Sequence, residues 1–367
     1  MTNNQEQSGK NVIVAVSGGV DSAVAAFICR QKGFNVTGVT LFLHRRGNGP
    51  DGSNVEENAS VVCRKLGIEH IIINAEDLFE QKVLRTSWDC YNTGRTPNPC
   101  TICNRHIKFG VLLDYARQKN ADLLVTGHHT QIVRTEHYIT IRKGDDPNKD
   151  QSYFLYDLTP EQLQKIYMPI GEMTKEEVRK TAVEAGLDFS GCKESQDTCF
   201  AVQGENFAES LRKQFCGTAR TGNFVSPDGR ILGRHKGIHN YTIGQRRGLG
   251  IALGAPAFVV DINEKSGDIV VSTKEELLFS ETCRVKDVNW LIPPALLIEE
   301  QKRKSSGESF ICDVKVRYRT RPVEAEVFVK EGSIEKIVFS EPQRAVTSGQ
   351  AAVLYTGNLL IGGGVII

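Results

Sequence analysis

The chain has 367 residues, 40% hydrophobic, 24% charged and 7% aromatic, with a formal net charge of +1. That composition suits two or three domains of about 100–200 residues each and excludes a generic polyanion binder, while leaving room for a local basic face. No run reaches the roughly 18 apolar residues that a membrane span needs. Residues 1–10 lack the apolar core of a signal or transit peptide, so a short disordered tail and a cytoplasmic location are expected. Ten cysteines in such a chain read as free thiols rather than as a disulfide framework.

Taken in order, residues 12–16 form a continuous β-branched run, the mark of a strand buried on both faces. A Gly-rich turn follows, then a helix over 22–31 that ends near Gly33. Residues 36–43 predict a second strand, 55–66 a helix stopped at Gly67, and 70–74 a third strand. A helical stretch at 78–88, a Pro-rich loop, a helix at 105–119 and a buried strand at 123–126 come next. Strands alternating with helices imply a doubly wound parallel α/β sheet, with ligands at the carboxyl ends of its strands.

Residues 159–186 turn helical, and Thr174 with Glu177 fits a capping box. A further helix is expected at 206–214, with Cys29 and Cys63 buried on the earlier helices. From 217 to about 278 the segments shorten under Gly and Pro punctuation, with strands at 257–262 and 268–272. From 282 onward the pattern is strand-like, with alternation at 312–318 and 325–329, a strand at 351–355 and then Gly362-Gly363-Gly364. Short strands without helices predict a small C-terminal β-barrel.

The stretch Ser17-Gly18-Gly19-Val20-Asp21-Ser22 falls between the first strand and its helix. Two glycines let backbone N–H groups approach a phosphate, two serines add donors, and the helix directs its positive end at the anion. Asp21 is unusual among phosphates unless it holds Mg²⁺ or caps the helix. A Walker loop would need a lysine after its last glycine, and none is there. The motif instead resembles the loop of the N-type ATP pyrophosphatases, which make adenylates. The expected ATP-binding residues are Ala15, Val16, Ser17, Gly18, Gly19, Val20, Asp21, Ser22, Leu41 as an adenine wall, and Gly127. Gly127, in Thr126-Gly127-His128-His129, would let the backbone pass close to the nucleotide.

Asn98-Pro99-Cys100-Thr101-Ile102-Cys103-Asn104 follows Gly94-Arg95-Thr96-Pro97 and leads into a helix. Cys103 is expected at or just before the helix N-terminus, a position that favours the thiolate. The Cys-x-x-Cys spacing suits a redox pair, two metal ligands, or a nucleophile with a neighbour. Structural zinc would want a second such pair, and none is present. Another thiol, Cys199, lies in Ser195-Gln196-Asp197-Thr198-Cys199-Phe200, seven residues from Cys192. Separated reactive thiols beside an adenylating site favour sulfur transfer over amidation, because amide-forming relatives need only ammonia or an amine.

At this point the chain resembles the bacterial tRNA-specific 2-thiouridylases over nearly its whole length. The matching stretches are 17–22, 94–104 with Lys108-Phe109, 126–128, 148–155, 195–200, 242–250, Val316-Arg317-Tyr318-Arg319 and Ser348-Gly349-Gln350. The resemblance implies an ATP pyrophosphatase domain at 11–205, a small central domain at 206–280 and a β-barrel at 281–367. It implies that O2 of the wobble uridine, U34, is adenylated with ATP and Mg²⁺ and then replaced by sulfur. The sulfur would come from a cysteine desulfurase, directly or through a relay protein. Cys199 would carry the persulfide, Cys103 would be the catalytic nucleophile, and a Cys103–Cys199 disulfide would form in the cycle. Much of the family has Asp where this chain has Cys100. That departure opens the acid/base assignment and offers an alternative, a [4Fe–4S] cluster on Cys100, Cys103 and Cys199. An ATP-dependent amidating synthetase is the remoter rival.

A target base must leave the anticodon stack to reach such a site. The resemblance places tRNA contacts at Asn98, Pro99, Cys100, His128, Lys149, Asp150, Gln151, Arg317, Tyr318 and Gln350. His235, Lys236, His239, Arg246 and Arg247 form a cationic cluster suited to phosphates.

Overall fold

The computed structural model describes residues 9–43, 54–189, 206–301 and 308–367; Cys192 and Cys199 lie outside them. The chain divides into two compact units. One comprises Met1–Lys82, Cys100–Gln203 and Asn358–Ile361, and the other Val83–Pro99, Gly204–Gly357 and Gly362–Ile367. No helix among the described residues is long and apolar enough to cross a membrane.

In the first unit, strands β1 (Asn11–Ala15), β2 (Asn35–Phe42), β3 (Glu69–Asn74), β4 (Leu123–Val125) and β7 (Ile166–Tyr167) form the expected parallel sheet. Their order is β3-β2-β1-β4-β7. Central β1 pairs Val12 with Val36 on one side and with Leu123 on the other, so Val12 and Val14 are shut in at 1% and 0% exposure. Helix α1 (Val20–Gln31) lays four consecutive buried alanine and valine residues, Ala23 to Ala26, on the sheet. Helix α2 (Val55–Leu66) starts at an Asn54 cap that accepts from Glu57 N and stops at Gly67, whose φ of 60° takes the left-handed turn cheaply. Cys29 and Cys63 sit in this core as expected, and burial pushes their thiols up to about 12 and about 11. Strand order reverses between β1 and β4, so a crevice opens above their carboxyl ends.

The expected helix at 105–119 starts earlier. It runs from Pro99 through Cys103, continues as a π-helical stretch over Asn104–Val111, and returns to α geometry over Leu112–Gln118. Proline suits a first helical position because that N–H has no intrahelical partner. Cys103 therefore lies a turn inside the helix rather than at its N-terminus, which corrects the sequence expectation. A hairpin of β5 (Thr130–Arg134) and β6 (Ile139–Lys143) follows β4, and Leu359 pairs with Arg142 of β6.

The second unit contains two β systems. Strands β8 (Gly222–Val225), β9 (Ile231–His235), β10 (Phe258–Ile262) and β11 (Ile269–Ser272) make a four-stranded sheet around Phe224, Ile238, Val259 and Ile269. Strands β12 (Phe279–Cys283), β16 (Ser333–Arg344), β15 (Val323–Lys330), β14 (Ser309–Lys315), β17 (Ala351–Thr356) and β18 (Leu359–Ile366, of which Gly362–Ile366 belong to this unit) follow in spatial order, and β13 (Val285–Trp290) pairs with β18. Alternation in β14 buries Phe310, Cys312 and Val314, as the period-two pattern requires.

Two members of the expected cationic cluster are core residues instead. His239 is 2% exposed, bonds Glu209 through Nε2 at 2.9 Å and meets the edge of Trp88 at 5.5 Å. His235 is 4% exposed and bonds Gly267 O at 2.9 Å. Phe224 and Tyr241 flank the His235 ring and Trp88 meets that of His239, neighbours in space that a sequence does not show.

Candidate functional site

The loop after β1 is braced by its own hydroxyls. Ser22 Oγ donates to Gly19 O at 2.9 Å and lies 3.1 Å from Ser17 N, with Ser17 Oγ at 3.2 Å. Gly18 has φ 74°, and a Cβ there would lie 2.6 Å from Asn58 Cβ. Helix α1 begins at Val20, so Asp21 and Ser22 occupy its first turn, where N–H groups lack intrahelical acceptors. Val16 is 2% exposed at the strand end, and its carbonyl accepts from Thr40 Oγ1 at 2.7 Å. Ala15 closes β1, and Leu41 stands half-buried near the end of β2.

Gly127 is required by the protein itself. A Cβ at that position would fall 2.6 Å from Asp21 C and 2.7 Å from Ser22 N. The loop after β4 thus presses backbone to backbone against the phosphate loop. The close approach inferred from the glycine is real, but in this structure its partner is Asp21–Ser22.

Asp21 is the electrostatic centre. Its two oxygens lie 2.6 and 2.7 Å from Lys175 Nζ, and Oδ1 is 3.3 Å from His129 Nε2. Burial pushes the Asp21 carboxyl up, but the His129 bond and the Lys175 charge outweigh it and hold the group below its usual value. Lys175 opens the helix Lys175–Glu184, capped reciprocally by Thr174 and Glu177 as expected. Sequence reasoning noted Lys175 only inside that capping box. A signal was available: a cation at a helix's first position opposes the macrodipole, so something else must hold it there.

His128 is 8% exposed, shares a 2.9 Å hydrogen bond between Nδ1 and Thr126 Oγ1, and packs 5.4 Å from the Phe109 ring. Burial, reinforced by Lys108, pushes its pKa far down, so the ring is neutral at pH 7. Among the described residues, no group of three or more His, Cys, Asp or Glu could hold a metal ion. With both Asp21 oxygens on Lys175, these residues do not fit a resident Mg²⁺. Cys100 and Cys103 supply two of the three thiols that a [4Fe–4S] cluster would need, and Cys199 is outside the described residues.

Cys100 is half-buried and Cys103 is 2% exposed. The strand of loop that reaches them is tied down within the second unit. Gln350 Nε2 donates to Thr96 O at 3.0 Å and to Pro97 O at 2.9 Å, and Thr96 N donates to Ser348 O at 2.9 Å. Thr96 Oγ1 meets Thr242 Oγ1 at 3.0 Å, and Arg95 pairs with Glu264 at 2.9 Å. Gly349 has φ 90°, and a Cβ there would lie 2.8 Å from Thr96 O. The resemblance offered Gln350 as an RNA contact. Here its amide clamps the chain that carries Asn98 and Pro99.

The other residues expected to meet RNA divide between the units. In the first, Asp150 Oδ1 accepts from Gly144 N and Ser152 N, each at 3.1 Å, Gln151 Oε1 accepts from His129 N at 3.0 Å, and Lys149 is half-buried. In the second, Arg317 donates to Ile243 O at 2.9 Å and to Thr347 Oγ1, and Lys315 lies over the Tyr318 ring at 5.6 Å.

A parallel sheet with an anion loop at its switch point, joined to two β domains, defines an ATP-using α/β enzyme. Residues 10–203 match the tRNA methyl transferase HUP domain, 212–273 the tRNA methyl transferase PRC-barrel domain and 280–366 the aminomethyltransferase beta-barrel domain. The tRNA-specific 2-thiouridylase MnmA of Clostridium botulinum strain Eklund 17B is 39% identical over 365 residues, covering 97% of this chain and 98% of the relative. That of Clostridium acetobutylicum is 37% identical over 364 residues, covering 97% and 99%. The chain belongs to the tRNA-specific 2-thiouridylase family.

Proposed function

We propose that this protein is a tRNA-uridine 2-sulfurtransferase that uses ATP to convert U34 to 2-thiouridine. The observation that carries this reading is that one compact unit holds both the phosphate loop and the thiols Cys100 and Cys103. ATP lies with its phosphates over Ser17–Ser22, its charge met by loop N–H groups, the α1 terminus and Lys175. Uridine O2 attacks the α-phosphorus, pyrophosphate leaves, and O2 becomes part of an AMP leaving group.

Sulfur follows as a persulfide. The terminal sulfur on Cys199 attacks C2, and AMP departs with O2. The Cys103 thiolate then attacks Cys199 Sγ, breaking the persulfide S–S bond and leaving sulfur on C2. A Cys103–Cys199 disulfide results, and a thiol reductant returns it to two thiols. A cysteine desulfurase or a relay protein reloads Cys199. Mg²⁺ enters as the ion carried by ATP. Lys149 of the first unit contacts tRNA, as do Asn98, Pro99 and Tyr318 of the second.

The test is a thiolation assay on unmodified tRNA with ATP and a persulfide donor. AMP, pyrophosphate and 2-thiouridine should form in equal amounts. Amidation or ATP turnover without sulfur in the tRNA would overturn the reading.

A further inference from the structure

Asn104 has no part in the reading so far, yet its side chain has unusual surroundings. It is 3% exposed and directly follows Cys103. Its Nδ2 donates to Phe154 O at 3.1 Å. A carbonyl only accepts, so this contact fixes which end of the amide is nitrogen. The other end, Oδ1, is buried with no hydrogen-bond partner among the described residues. Proteins seldom leave a buried acceptor empty, because it forfeits its water without replacement.

Its position along the chain says what should fill it. Cys100, Cys103 and Asn104 stand at i, i+3 and i+4, the spacing that puts three side chains on one helix face. The π-helical stretch begins at Asn104, a geometry that often marks functional positions. The face that presents the thiols therefore also presents an unfilled acceptor. A uracil whose C2 is to be attacked from that face carries a donor on the adjacent atom, N3–H. Cytosine carries a lone pair at N3 and would set it against Oδ1.

We propose that Asn104 Oδ1 accepts the N3–H of the target uracil, making Asn104 the residue that selects uridine over cytidine and orients C2 toward the thiols. The assignment rests on the U34-thiolation reading above. The Phe154 carbonyl orients the amide so that only its oxygen is offered to the base.

A double-mutant cycle tests it with the full chain and full-length tRNA carrying either uridine or 3-deazauridine at position 34. 3-Deazauridine keeps the 2-oxo group and lacks the N3 donor. With the unaltered protein, this replacement should lower kcat/KM for thiolation about tenfold or more, the worth of one buried hydrogen bond. Asn104→Ala should cost a similar factor on uridine and little further on 3-deazauridine, giving a coupling of about tenfold. Losses that simply multiply would assign Asn104 a structural role only and overturn the proposal. If Asn104→Ala does not fold, Asn104→Asp keeps an oxygen acceptor in place and should retain the preference for uridine; equal rates on the two tRNAs would overturn the proposal. If the unaltered protein forms no 2-thiouridine on uridine itself, the functional reading and this assignment fall together. Thiolation with uncoupled losses removes the Asn104 assignment alone.

Discussion

Both carboxylate oxygens of Asp21 lie within 2.7 Å of the Lys175 ammonium, joining residues 154 positions apart at the mouth of the phosphate loop. The lysine side chain is only 14% exposed and the aspartate 34%. A loop without a Walker lysine thus receives its cation from a distant helix.

Lys175→Met should lower kcat/KM for ATP about 10- to 100-fold, the range expected for losing a charge-assisted hydrogen bond to phosphate. ATP–pyrophosphate exchange with tRNA present measures it. An unchanged rate would leave Lys175 as a partner of Asp21 alone.

Replacing either Cys103 or Cys199 by alanine should abolish 2-thiouridine while adenylate formation survives, because the thiols act after pyrophosphate has left. Mass spectrometry of tRNA nucleosides beside a pyrophosphate-release assay separates the two steps. Continued thiolation by either variant would sink the persulfide scheme. The same scheme expects full activity from protein purified anaerobically without iron, and iron-dependent activity would favour the cluster on Cys100, Cys103 and Cys199.

Gly127→Ala should destabilise the protein by about 1–3 kcal/mol, the usual cost of forcing a methyl into closed packing. The clash is with backbone at Asp21 and Ser22, so ATP affinity should fall with stability. Thermal melting with and without ATP reads both effects, and a variant that melts normally would show that the two loops separate easily.

Acidity should weaken the fold through histidines that desolvation holds neutral. Burial lowers His128 well below 6.5, and burial is also the first cause for His70, His106 and His235. The unfolded chain then takes up protons first, so stability is intact above pH 6.5 and declines as pH falls beneath that value. His128→Gln should flatten the decline of Tm between about pH 6.5 and 5. An equally steep slope in the variant would place the acid sensitivity elsewhere.

Most local elements and the loop chemistry were legible in the sequence. Val12 to Val16 reads as a buried strand, Asn54 and Gly67 bound α2, and Thr174 with Glu177 caps its helix, because strand periodicity, caps and left-handed glycines act within a few residues. The phosphate loop was legible for the same reason. The helix start at Pro99 was misjudged, since the prolines suggested a loop extending past Cys103 while Pro99 is itself a first helical residue. Tertiary structure alone decided that Lys175 reaches Asp21, that Gly127 yields to the phosphate loop, that Gln350 clamps Thr96 and Pro97, and that His235 and His239 are interior. These are contacts between residues far apart in the chain. Whether a charge is paired or a ring is buried is set by its neighbours in space, which carry no fixed spacing in sequence.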